Sequence, residues 1–190
     1  YFDPGFFELE KKHLWPKVWQ MAARLEEIPN VGDYVEYTNL DKSVIVVRAK
    51  GGVKAYLNAC RHRGVRLANG PGNCAKNGMV CPFHGWRWNA EGENTFVFGP
   101  HIFNEELLDH AEIDLVPVRC EEWGGCAFIN LDDNARPLGE SLGPIVDRLD
   151  ALRRSSEPFS RNWRSTAAHC EGSAEVRRAS SSAALSFPCS

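Results

Sequence analysis

The 190 residues suffice for one domain, or one domain with part of another. A net charge of −3 argues against a basic nucleic-acid-binding face, and 43% hydrophobic with 25% charged residues describes an ordinary globular chain. No apolar run approaches the roughly 20 residues that span a bilayer. Residues 1–20 mix Asp3, Glu8, Glu10, Lys11 and Lys12 with aromatics, unlike a secretory leader.

Asp3-Pro4 is a helix start, with Asp as N-cap and Pro at the first helical position. A helix is predicted over about 4–14, interrupted or restarted at Pro16, within an N-terminal helical segment 1–32. From residue 33 the pattern turns to strands. Asp33–Leu40 alternates, Val44-Ile45-Val46-Val47 is a β-branched run inside Ser43–Ala49, and Val53–Asn58 alternates after the Gly51-Gly52 turn. Trp86 and Trp88 lead into a turn at Asn89–Gly92, and two more strands flank Gly124-Gly125. The expected fold class is mainly β, an antiparallel domain over 33–132. Pro137–Leu152 then shows helical spacing within a connection spanning 133–164. Residues 165–190 hold seven Ser and six Ala with Phe187 as their only aromatic, and a disordered low-complexity tail is expected there.

The chemistry is concentrated in two pairs, Cys60-x-His62 and, eighteen residues on, Cys81-x-x-His84. Both fall where strands end. Two thiolates and two imidazoles suit zinc, copper or an iron–sulfur centre, not calcium or magnesium. Zinc fingers usually draw Cys-Cys from one element and His-His from another. Here each element supplies one of each, an order that suits a dinuclear centre with both Cys on one iron and both His on the other. A structural zinc clip stays open as the alternative. The seven cysteines show no regular framework, which fits a cytosolic chain with reduced thiols. His13, His101, His110 and His169 have no partner at ligand spacing.

The runs Cys60-Arg61-His62-Arg63-Gly64 and Cys81-Pro82-Phe83-His84-Gly85-Trp86 resemble a Rieske domain. With Phe6-Phe7-Glu8-Leu9-Glu10 and Leu14-Trp15-Pro16-Lys17-Val18-Trp19, the chain over about 1–164 resembles more narrowly the N-terminal part of the α subunit of Rieske non-haem iron ring-hydroxylating oxygenases. The eighteen-residue gap is slightly longer than usual in that family, and Gly70, Pro71, Gly72, Asn73 and Gly78 suggest an extended loop. Respiratory Rieske proteins add a disulfide across the cluster; Val65 and Phe83 stand at those positions, so an oxygenase-type or ferredoxin-type cluster is implied.

The resemblance implies a [2Fe–2S] cluster held by Cys60, His62, Cys81 and His84, with Phe83 and Trp86 as its shields. It implies a cytoplasmic oxidoreductase of dioxygenase or monooxygenase type acting in aromatic compound catabolism. Electrons would come one at a time from a ferredoxin or flavin-dependent reductase and pass to a mononuclear Fe(II). A homotrimer is the common assembly of the full-length family member, and neither nucleic acid nor a membrane is an expected partner. The family's iron site takes two His and a carboxylate, yet only His169 follows residue 140, so no catalytic residue is assigned and this chain alone is expected to be catalytically incomplete. A free-standing Rieske ferredoxin is the alternative electron carrier. Arg61 and Arg63 flank His62 as contacts for an acidic donor or as solvated charges.

Overall fold

The computed structural model describes residues 3–149 and 151. Helix α1 (Pro4–His13) starts where Asp3 Oδ1 accepts hydrogen bonds from the Gly5 and Phe6 amides. Ten strands follow: β1 (Gln20–Arg24), β2 (Asp33–Asn39), β3 (Lys42–Ala49), β4 (Gly52–Leu57), β5 (Gly72–Asn73), β6 (Met79–Val80), β7 (Arg87–Trp88), β8 (Asn94–Phe96), β9 (Pro117–Trp123) and β10 (Cys126–Asn130). A short helix α2 (His110–Ile113) precedes β9. Helix α3 (Leu138–Leu142) and a helical stretch at 145–149 bear out the helical spacing of that region, broken by a turn at Gly143-Pro144. The described residues from Leu142 onward belong to a separate unit. The connection beyond residue 151 and the tail at 165–190 lie outside the described residues.

Seven strands form one antiparallel sheet in the order β1-β10-β9-β4-β3-β2-β5, and β6-β7-β8 form a smaller one. The antiparallel β expectation therefore holds. The strand β1 is a correction, because residues 20–24 fall in the segment 1–32 read as helical. They pair with β10, Gln20 opposite Ile129 and Arg24 opposite Cys126. That partner lies about a hundred residues away, beyond the reach of local pattern.

The β-branched run has a physical reason. Val44, Ile45, Val46 and Val47 are 0–1% exposed, so β3 is covered on both faces. Ile45, Val47 and Ala49 enter a core with Tyr56, Cys60, Cys74, Cys81, Trp86 and Trp88. Val44 and Val46 enter a second core with Ile28, Ala55, Val118, Ala127 and Ile129. The first core lies beneath both Cys/His loops, so the strands that build it also carry the candidate ligands.

Glu36 on β2 ties this sheet to the first loop. Its carboxylate accepts hydrogen bonds from Ser43 Oγ (2.7 Å), the Gly70 amide (2.9 Å), an Arg66 guanidinium nitrogen (3.1 Å) and Asn58 Nδ2 (3.2 Å). The Ser43 hydroxyl, then the Gly70 amide, hold its pKa below the ordinary value near 4.5. A depressed carboxylate pKa stabilises the fold above that ordinary value, and the contribution disappears as pH falls through the folded-state value. Melting curves from pH 7 to pH 3 should show Glu36→Gln below wild type at neutral pH and converging with it in acid. Curves that stay parallel would contradict the role given to Glu36.

Candidate metal centre

Strand β4 ends at Leu57, and the first loop runs from Cys60 to Val65; β6 ends at Val80, and the second runs from Cys81 to Trp86. The two loops share one backbone design. In the first, the Cys60 amide donates to Val65 O (2.8 Å) and the Gly64 amide to Cys60 O (2.7 Å). In the second, the Cys81 amide donates to Trp86 O (2.8 Å) and the Gly85 amide to Cys81 O (3.0 Å). Both turns close through a glycine at φ +70°, a left-handed conformation that side-chain-bearing residues adopt only with strain. Only the histidine differs, two residues after Cys60 and three after Cys81. Cys74 and Gly78 make the same four-residue step, the Gly78 amide donating to Cys74 O at 2.9 Å, but Ala75, Lys76 and Asn77 between them offer no imidazole.

The loops bring like groups together. Cys60 (4% exposed) and Cys81 (2%) enter the same core as neighbours. Burial is the main cause raising the Cys60 thiol pKa, and the neighbouring Cys81 adds to it. The His62 and Arg63 amides point at the Cys60 sulfur and oppose that rise, as N–H donors do for a developing thiolate.

The His62 and His84 rings lie with centroids 4.7 Å apart. His62 is stacked on Trp86 (5.1 Å, 7°), with Phe103 edge-on at 5.8 Å, and Phe83 lies over His84 at 3.9 Å. Burial first, then His84 and Arg63, lowers the His62 pKa and favours the neutral imidazole a metal needs. The Nδ1 atoms of both histidines are buried without a hydrogen-bond partner among the described residues. An orphaned buried nitrogen is costly, and its occurrence on both rings fits two metal-facing donors. The donor set therefore fits a mixed Cys/His cluster.

Each sequence element pairs a Cys with a His, but the fold pairs Cys with Cys and His with His. Among the described residues no three of His, Cys, Asp or Glu converge on a single point. A tetrahedral zinc site asks for four converging ligands. Two like pairs suit a cluster in which each iron takes one pair.

A family model for the Rieske [2Fe-2S] domain matches residues 18–99. This region is a Rieske [2Fe–2S] domain. The carnitine monooxygenase oxygenase subunit of Escherichia coli K12 is 36% identical over 175 residues, 86% of this chain and 46% of that one. The 2-aminobenzenesulfonate 2,3-dioxygenase subunit alpha of an Alcaligenes species is 35% identical over 149 residues, 77% of this chain and 38% of that one. The quaternary ammonium Rieske monooxygenase CntA, solved with an inhibitor, superimposes at TM-score 0.72 and 30% identity over 80% of this chain and 41% of its own. Naphthalene 1,2-dioxygenase from a Rhodococcus species does so at 0.71 and 31% over 79% and 34%. The chain spans less than half the length of these relatives and corresponds to the part of Rieske oxygenase α subunits that bears the Rieske domain.

Other predicted features divide. Trp86 is buried (3%), whereas Phe83 is 57% exposed and covers one face of the His84 ring rather than shielding the Rieske site from above and around. Arg61 is engaged: its Nε donates to Glu112 O at 2.8 Å, tying the first loop to α2, and both flanking arginines are exposed. Phe103 carried no local signal. It reaches His62 from the segment between β8 and α2, which only tertiary packing delivers. No described helix is long and apolar enough to cross a membrane.

Proposed function

We propose that Cys60 and Cys81 hold one iron of a [2Fe–2S] cluster and His62 and His84 the other, and that this domain relays single electrons from a ferredoxin or flavin-dependent reductase toward a mononuclear iron in a cytoplasmic oxygenase. The observation that carries the reading is the like-with-like pairing of two thiols and two imidazoles. When bound, the cluster supplies one-electron chemistry at a potential raised by neutral imidazoles, within about −150 to +300 mV.

The chain's own residues supply the surroundings. The His62 and Arg63 amides favour charge on the Cys60 sulfur. Trp86 and Phe103 pack against the His62 ring, a local control of dielectric that tunes such centres. Both His62 and His84 are half-buried, with Phe83 over the His84 ring, and a pair of imidazoles at this depth suits electron exchange. Domain boundaries follow from this reading: a short N-terminal segment carrying α1, a Rieske domain that starts at about residue 18 and takes in β1 through β10, and a connection leading on from residue 133. Among the relatives, the names span carnitine and an aromatic sulfonate, and an electron-relay domain serves either.

The test is an absorption and EPR spectrum of anaerobically purified protein, oxidised and then dithionite-reduced. A red-brown protein with about two irons per chain and a reduced signal of mixed Cys/His ligation is expected. A colourless protein with one zinc per chain would overturn the relay and leave a structural clip.

A further inference from the structure

Asn58 sits two residues before Cys60, 4% exposed, with its side chain fully engaged. Its Oδ1 accepts from the Leu67 amide (2.9 Å) and the Ala68 amide (3.0 Å), just past the first loop. Its Nδ2 donates to Ala68 O (2.8 Å), Ser43 Oγ (2.9 Å) and, more weakly, Glu36 Oε1 (3.2 Å). The two backbone donors at Oδ1 fix the orientation of the amide. Glu36, its side chain 9% exposed, adds the Gly70 amide and Arg66. The polar network thus clamps both ends of the segment 58–70 to β2 and β3.

No comparable side-chain node holds the second loop among the described hydrogen bonds. Residues 81–86 are tied by their own turn and by the short pairing of β6 with β7 at its ends, Met79 with Trp88 and Val80 with Arg87, and they reach the body of the domain through the burial of Cys81 and Trp86 and the Trp88 Nε1 bond to Ile113 O. A saturated polar node specifies one geometry, because any displacement strands several buried donors and acceptors together. Apolar burial is non-directional and tolerates sliding.

We propose that Asn58 and Glu36 are positioning residues that hold Cys60 and His62 in ligating geometry independently of the cluster, so that the first loop is preformed and the second is completed by metal. This rests on the Rieske reading for the role of the ligands, while the preformed geometry can be measured without it.

Hydrogen exchange on the iron-depleted full chain, with cluster lifetime under chelator and the reduced EPR g values of the loaded protein, tests the proposal. Wild type should keep strong protection at the Cys60, Gly64 and Ala68 amides after iron removal and lose it at Cys81 and Gly85. Asn58→Asp, which keeps the shape but removes the donors and faces Glu36 with a second carboxylate, should cut protection of the first loop by about tenfold or more. It should shorten cluster lifetime comparably and shift the EPR g values. Glu36→Gln and Arg66→Ala should act in the same direction more weakly; Arg66 is half exposed, so its variant tests the network even where Asn58→Asp does not fold. Unchanged first-loop protection in all three variants would overturn the proposal. So would equal loss in both loops and the sheet, which marks a general stability effect. A wild-type chain that takes no cluster would instead sink the relay reading and leave the exchange result to decide the preformed loop.

Discussion

Cys81→Ser is expected to yield a folded, colourless protein, with iron falling from about two per chain to below about a tenth of that. Serine keeps the shape of cysteine at a slightly smaller volume, and the turn it occupies is closed by main-chain bonds, the Cys81 amide to Trp86 O and the Gly85 amide to Cys81 O. The domain therefore stays folded, with the second loop losing only the order that metal gives it, while one soft ligand disappears, and a hydroxyl does not replace a thiolate toward iron. Cys74→Ser is the informative control. Cys74 is as buried as Cys60, belongs to the same core and stands in the same four-residue step to a glycine. Its substitution should lower stability, because a hydroxyl enters an apolar site, and should leave the visible spectrum and iron content intact. Absorbance and iron assay on the two variants decide the matter. Loss of colour in Cys74→Ser with retention in Cys81→Ser would reverse the ligand assignment.

Trp88→Ala should be the most destabilising single change in the core beneath the site. Trp88 is 0% exposed, lies 6.3 Å from Trp86 between ring centroids, and donates through Nε1 to Ile113 O at 2.7 Å. Truncation leaves a large cavity, at a cost of about 3–5 kcal/mol, and leaves the Ile113 carbonyl without its donor. That is a large share of a typical total of about 5–15 kcal/mol, and at roughly 2–4 °C per kcal/mol the melting temperature should fall by about 6–20 °C. Trp88→Phe keeps most of the volume but not the N–H donor and should fall between the two. A thermal melt of both variants measures the order. A Trp88→Ala protein within about 2 °C of wild type would show that the ring is not the keystone of this core.

Several features were readable from local pattern because their causes are local. Asp3 caps α1 with an amide two residues on, and the β-branched run of β3 records a strand covered on both faces. The ligand loops belong here too: a Cys and a glycine four residues later suffice to define each turn, and a His inside it supplies the second donor. Sequence by itself thus determined the antiparallel class, the loops and the four candidate ligands.

Tertiary structure decided what those ligands can do together. The chain order pairs Cys60 with His62 and Cys81 with His84, and only the approach of the two loops places thiol beside thiol and imidazole beside imidazole. The edge strand β1 exists because β10, about a hundred residues on, offers it hydrogen bonds. Glu36 and Asn58 read as ordinary polar residues along their strands, yet they meet at 3.2 Å across twenty-two positions of chain. Such contacts leave no local periodicity, since each is made between residues that only the closed sheet brings to the same place.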